Sequence, residues 1–157
     1  MTPKSIFAAV LVFLPVPAFA QTMDASGAWI FTPASVPYPV ADNLVVIHVN
    51  NAYDRFEPAG PDHPAAGAAG QCFGAILINA GQASGRGNCH IVDGDGDAWV
   101  SEWIVEGIDA DRLTTGRWAI IDGTGKYAGA SGSGSFRAGA DASGTYKNET
   151  TGEITLN

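Results

Sequence analysis

The sequence predicts an all-β fold, a single-domain antiparallel β-barrel with one disulfide. Helical periodicity is nearly absent after residue 20, and Gly, Ser, Asn and Asp interrupt the chain at intervals of roughly 8–12 residues, the rhythm of all-β domains. The segment from Asp97 alternates strictly, with Trp99, Ser101, Trp103 and Val105 on one face and Val100, Glu102, Ile104 and Glu106 on the other. Two cysteines, Cys72 and Cys89, lie where they can bridge neighbouring strands.

The first twenty residues have the order of a secretory signal peptide. Lys4 supplies the positive start, Ile6 to Leu14 an apolar run, and Ala18-Phe19-Ala20 a small-x-small cleavage site. The run is too short for a membrane anchor, and Pro15 and Pro17 break its end. The expected address is the periplasm or the outside medium, with residues 21–157 forming one domain. That part carries 7 basic and 16 acidic residues. Such a balance repels phosphate backbones and anionic lipid, so neither nucleic acid nor a membrane surface is an expected partner. No later segment is apolar enough to span a membrane.

The strands follow in order as Ala28–Thr32, Asn43–Asn50, Gln71–Asn79, Gly85–Val92, Ala98–Glu106, Arg112–Ile121, Gly132–Ala138, Gly144–Asn148 and Glu153–Leu156. The stretch Glu57–Gly70 is rich in Pro, Ala and Gly and reads as an irregular surface loop. In an oxidising compartment the cysteine pair reads as a disulfide. A metal site using Cys89 and His90 fails because adjacent strand residues point to opposite faces. If Cys72 faces Cys89, Ala80 and Gly81 form the tip of a hairpin and Asn79 pairs with Gln82, with Gly81 suited to a tight turn. A longer loop over Ala83–Gly87 would shift that register. Trp118 and Ile120 repeat the one-sided arrangement of Trp99 and Trp103, and large aromatics of this kind fill a small barrel.

The run from Asp122 to Gly134, Asp-Gly-Thr-Gly-Lys-Tyr-Ala-Gly-Ala-Ser-Gly-Ser-Gly, resembles the GGTGxFxGxxGxG stretch of the dirigent and allene oxide cyclase barrel superfamily. Asp122 replaces a first Gly and Tyr127 a Phe. Arg117–Ile121 and Ser135-Phe136-Arg137 look like the flanking strands, and the segment Cys89–Asp97 followed by Trp103 is similar to small exported bacterial proteins. The resemblance covers the last third of the chain. It implies an eight-stranded antiparallel barrel with a central cavity, and it favours a homo-oligomer. It carries over no catalytic residue, because the matched positions form a turn. Within that turn the glycines are expected to matter far more than Lys126, and Tyr127 is expected to plug one end of the barrel with its hydroxyl near the rim.

Candidate sites are few. The Gly-rich turn is no phosphate loop: Ile120 stands where a Walker motif needs Gly, and Tyr127 where it needs Ser or Thr. Asp93, Asp95 and Asp97 could ligate calcium, but an EF-hand would need Gly at Ala98 and Glu at Ile104, and a turn between strands explains the same residues. Glu102 and Glu106 share a face about 13 Å apart, too far for a glycosidase pair. His48 shares a face with Val46 and Asn50, and no Gly-x-Ser-x-Gly elbow exists to pair with it. Asn148-Glu149-Thr150 has the form of a glycosylation sequon. Candidate ligand-binding residues are therefore Trp99, Trp103, Glu102, His48 and Tyr127, with no cofactor expected. The expected function is binding of a small apolar or aromatic ligand. The alternatives are a cofactor-free cyclase or isomerase of the allene oxide cyclase type, or a structural domain with a filled interior.

Overall fold

The computed structural model describes residues 20–157. Apart from Ala20, the expected signal peptide lies outside the described residues. Ten strands form one antiparallel sheet: β1 Gln21–Asp24, β2 Gly27–Pro33, β3 Val36–Ala41, β4 Leu44–Pro58, β5 Ala69–Asn79, β6 Gln82–Val92, β7 Ala98–Ile108, β8 Thr114–Gly123, β9 Ser131–Ala140 and β10 Tyr146–Leu156. A 3-10 turn, Gly125–Tyr127, links β8 to β9. Pairing runs β2-β4-β5-β6-β7-β8-β9-β10 and returns from β10 to β2, so eight strands close a barrel. Closure removes the free edges that an open sheet would leave. No helix among the described residues is long and apolar enough to cross a membrane.

The hairpin of β5 and β6 has the register expected from its cysteines. Cys72 faces Cys89 and the two are disulfide-bonded, while Asn79 faces Gln82. Ala80 and Gly81 have φ of 49° and 81°, the double positive φ of a two-residue turn that matches strand twist.

Three features depart from the sequence reading. Strand β3 contains Pro37 and Pro39, which argue against a ladder strand, yet it pairs with β4 from Val36↔His48 to Ala41↔Leu44. It lies off the closed circuit, where one side needs no ladder bonds and proline is tolerated. The two strands expected at the C-terminus are one. Gly152, at φ 139°, sits within β10, which stays paired to β9 without interruption from Tyr146 to Thr155. The loop expected on the surface closes an end instead: β4 continues to Pro58, and residues 59–68 turn back beneath the barrel. There the Phe56 N–H donates to the Ala68 carbonyl at 2.9 Å, the Phe56 carbonyl accepts the Gly67 N–H at 2.9 Å, and Ala65 and Ala68 are buried.

The core has two layers. Phe31, Tyr53, Phe56, Ile91, Trp99 and Tyr127 pack at the end closed by that loop, and Val49, Ala83, Trp103, Val105 and Phe136 pack further along.

Candidate functional site

The layers do not fill the barrel. A cavity of about 540 Å³ runs through the interior, within the range of small-molecule sites. The loop carrying His63 and Ala65 closes one end. At the other, the exposed residues Pro33, Pro37, Arg112, Ala140 and Tyr146 surround the mouth.

The wall is built by strand alternation. Ile47, Val49, Asn51 and Tyr53 of β4 face inward, as do Trp99, Ser101, Trp103 and Val105 of β7. Trp29 packs against Phe56 at 4.7 Å between ring centres, and Phe31 stacks on Tyr53 at 5.2 Å. Both cysteines of the disulfide also face the cavity. Trp103 is seated by glycine. Its strand partner Gly87, and Gly74 opposite Gly87, leave the space its ring occupies, and a Cβ at either position would overlap the indole.

Polar groups on this wall are sparse. The Asn148 side-chain amide donates to the Tyr53 hydroxyl at 2.9 Å. Burial pushes the Tyr53 pKa up to about 12, against the opposing effect of that bond, so the phenol stays protonated. The sequon Asn148 is thereby engaged inside the barrel. His63 Nδ1 accepts the Ala65 N–H at 3.1 Å, and its ring stands edge-on to Phe56 at 5.3 Å. Burial lowers the His63 pKa against the opposing influence of Asp24, favouring neutral imidazole. Trp103 Nε1, Asn148 Oδ1 and His63 Nε2 are buried with no hydrogen-bond partner.

Of the residues singled out from sequence, Trp99 and Trp103 line this cavity. Tyr127 does not. It is 1% exposed and lies behind Trp99 at 4.5 Å between ring centres, with its hydroxyl buried and unpartnered, not at the rim. Burial and then the charge of Asp93 raise its pKa. His48 and Glu102 stand exposed on the outer face, His48 between Val36 and Ala75, and Glu102 beside a shallow depression shared with Arg117. Even-numbered positions of β4 and β7 face outward there, so neither side chain reaches the interior. Sequence reasoning missed Tyr53, His63, Arg112 and Asn148. Continuing the alternation of Val45, Ile47 and Val49 through Asn51 would have found Tyr53. His63 had no periodic signal at all.

The three aspartates converge on a lysine. Asp93 Oδ1 accepts the N–H groups of Asp95 and Asp97 at 2.9 and 3.1 Å, which is turn chemistry. Lys126 Nζ lies 2.7 Å from carboxylate oxygens of both Asp93 and Asp95, and the Lys126 N–H bonds Asp97 at 3.1 Å. Among the described residues, no group of three His, Cys, Asp or Glu side chains converges to hold a metal ion. Burial alone would raise the Asp93 carboxyl, but Lys126 and the two N–H groups outweigh it and hold it below the usual carboxylate range. Lys126 is thus the counter-ion of a buried carboxylate, contrary to the minor role its sequence position suggested.

Fold and cavity together define a closed, disulfide-bonded eight-stranded barrel with an aromatic interior. Among solved structures it is similar to two pterocarpan synthase dirigent proteins. PsPTS1 matches at TM-score 0.51 and 13% identity over 87% of this chain and 96% of that one. GePTS1 matches at TM-score 0.52 and 13% identity over 91% and 89%. The chain has the dirigent barrel fold. No protein-family model matches the sequence, and a comparison with curated proteins found no match.

Proposed function

We propose that this chain is an exported protein that holds a small, largely apolar or aromatic ligand inside the barrel without transforming it. The supporting observation is the 540 Å³ cavity, whose wall is mostly aromatic and aliphatic and includes no carboxylate among the described residues. Apolar burial supplies affinity, and a few polar groups orient the ligand. The disulfide and the leader-like first twenty residues support export.

A cofactor-free cyclase or isomerase is the second reading. It is favoured by His63, held toward its neutral form, and by the protonated Tyr53 on the same cavity wall. The named relatives in fold are synthases. A neutral imidazole can take a proton and a phenol can give one, so a ligand closing a ring between them would find both groups.

A thermal-shift and tryptophan-fluorescence screen of hydrophobic and phenolic compounds tests the binding reading. A ligand at a hundred times its Kd adds about 2.7 kcal/mol to folding. Ser101→Phe, which fills the cavity beside Trp99 and Trp103, should abolish both responses while the protein still melts cooperatively. Responses that persist in Ser101→Phe would place binding elsewhere and overturn the reading. Recovery of a chemically altered compound would replace it with the cyclase reading.

A further inference from the structure

Among the described residues that line the cavity, Arg112 is the one arginine, and it is exposed at the mouth. A positive charge without a partner is unusual in so acidic a chain. Among the described residues, Arg55, Arg117, Lys126, Arg137 and Lys147 each have a carboxylate within 4.0 Å. Arg112 and Arg86 do not. Arg86 is exposed on the outer face of β6, across from Ala75 and Ile104. Arg112 stands at the mouth of the apolar cavity.

The turn that carries Arg112 keeps it unpaired. Asp109 and Asp111 are its nearest carboxylates in sequence, and both are drawn to Arg137. Arg137 Nε reaches Asp109 at 2.5 Å, and Nη2 reaches Asp111 at 2.5 Å. Asp109 Oδ1 also accepts the N–H groups of Asp111 and Leu113, each at 2.9 Å. Arg112 itself sits at φ 65°, a conformation few side chains adopt, with its N–H bonded to the Asp109 carbonyl at 3.0 Å. The polar neighbours at this end are occupied as well. Ser35 Oγ bonds Asn51, and Thr114 Oγ1 bonds the Ala138 carbonyl.

We propose that the cavity takes an amphiphile with an apolar body and a single anionic head, a carboxylate or sulfonate, with the body in the aromatic sleeve and the head at Arg112. This rests on the binding reading above and adds the charge class of the ligand. A solvent-exposed ion pair contributes little when both partners are free to move. Here the buried body positions the anion at the rim, so the guanidinium meets it at high effective concentration and with two donors available. The pair also offsets the repulsion that 16 acidic residues would otherwise exert on an entering anion.

The experiment is a paired titration of the oxidised chain with anilinonaphthalene sulfonate and with its uncharged counterpart phenylnaphthylamine, read by energy transfer from tryptophan. The wild-type chain should bind the sulfonate more tightly than the amine. Arg112→Gln should weaken the sulfonate about tenfold, the scale of one charge-assisted contact, and leave the amine within about twofold. Arg112→Lys should recover most of the loss, and added salt should weaken the sulfonate alone. If Arg112→Gln changes neither probe, or both alike, the charge assignment is wrong and the cavity reading stands. If neither probe binds the wild-type chain, both readings fall.

Discussion

The Lys126 ammonium lies 2.7 Å from Asp93, whose side chain has no exposed surface, and so joins the turn after β8 to the turn between β6 and β7. The two residues are far apart in sequence, and the contact fastens one end of the barrel. Removing the lysine leaves a buried carboxylate with only its two backbone donors.

Lys126→Ala is therefore expected to cost about 2–3 kcal/mol, less than the roughly 3–5 of a fully enclosed pair because the lysine keeps some solvent contact. Gly125→Val should cost more, since Gly125 has φ 54° and a Cβ there would collide with the Asp97 carboxylate. Asp93 is held below its ordinary value of 3.8, so the stability it contributes is present above that pH and lost as pH falls below it. Urea unfolding at neutral pH measures all three proteins. A Lys126→Ala variant as stable as wild type would mean the pair contributes nothing.

His63 predicts a second pH dependence at milder acidity. Burial lowers its pKa from 6.5, so the unfolded chain binds the proton more readily. Stability is then complete above about pH 6.5 and declines as pH falls from there, before the carboxylates titrate. Melting temperature followed from pH 7.5 to 5 should fall in wild type, and the fall should flatten in His63→Gln. Parallel curves for the two proteins would show that His63 titrates alike folded and unfolded.

The seat of Trp103 gives a packing test. Gly87→Ala pushes a methyl against both the Phe73 carbonyl and the Trp103 indole and should cost about 1–3 kcal/mol or more, with a changed near-ultraviolet circular dichroism signal from the displaced ring. Gly81→Ala is the control. It lies at the hairpin tip with open space around it and φ of 81°, so it should cost about 1 kcal/mol in backbone strain and leave the tryptophan signal intact. Equal spectra for Gly87→Ala and wild type would mean the ring has room to spare.

Much of the barrel could be read locally. The period of two that places Trp99, Trp103 and Trp118 inward is a property of any extended chain, and it needs no knowledge of the partner strand. The register of β5 and β6 follows from two cysteines and a two-residue turn, all within one hairpin. Strand β3 escaped because its prolines forbid a ladder only where both sides are paired, and which strand lies at an edge is not a local fact.

The functional residues divide along the same line. Residues 28–156 carry, in their own alternation and turn chemistry, the strands, the hairpin disulfide and the inward aromatic faces, because those features are set within a single strand or one hairpin. The β10–β2 pairing that closes the barrel, by contrast, joins opposite ends of the domain. The tertiary structure decided which histidine reaches the cavity: His48, the candidate in the sequence, faces solvent by strand parity, whereas His63, which carried no signal there, lines the cavity because its loop folds back under Phe56. It also turned three aspartates from a candidate calcium site into the seat of Lys126, and left Arg112 unpaired by committing Asp109 and Asp111 to Arg137. Each of these outcomes depends on which charge meets which across the closed barrel, and charges separated by tens of residues come together only once the sheet has curled and closed.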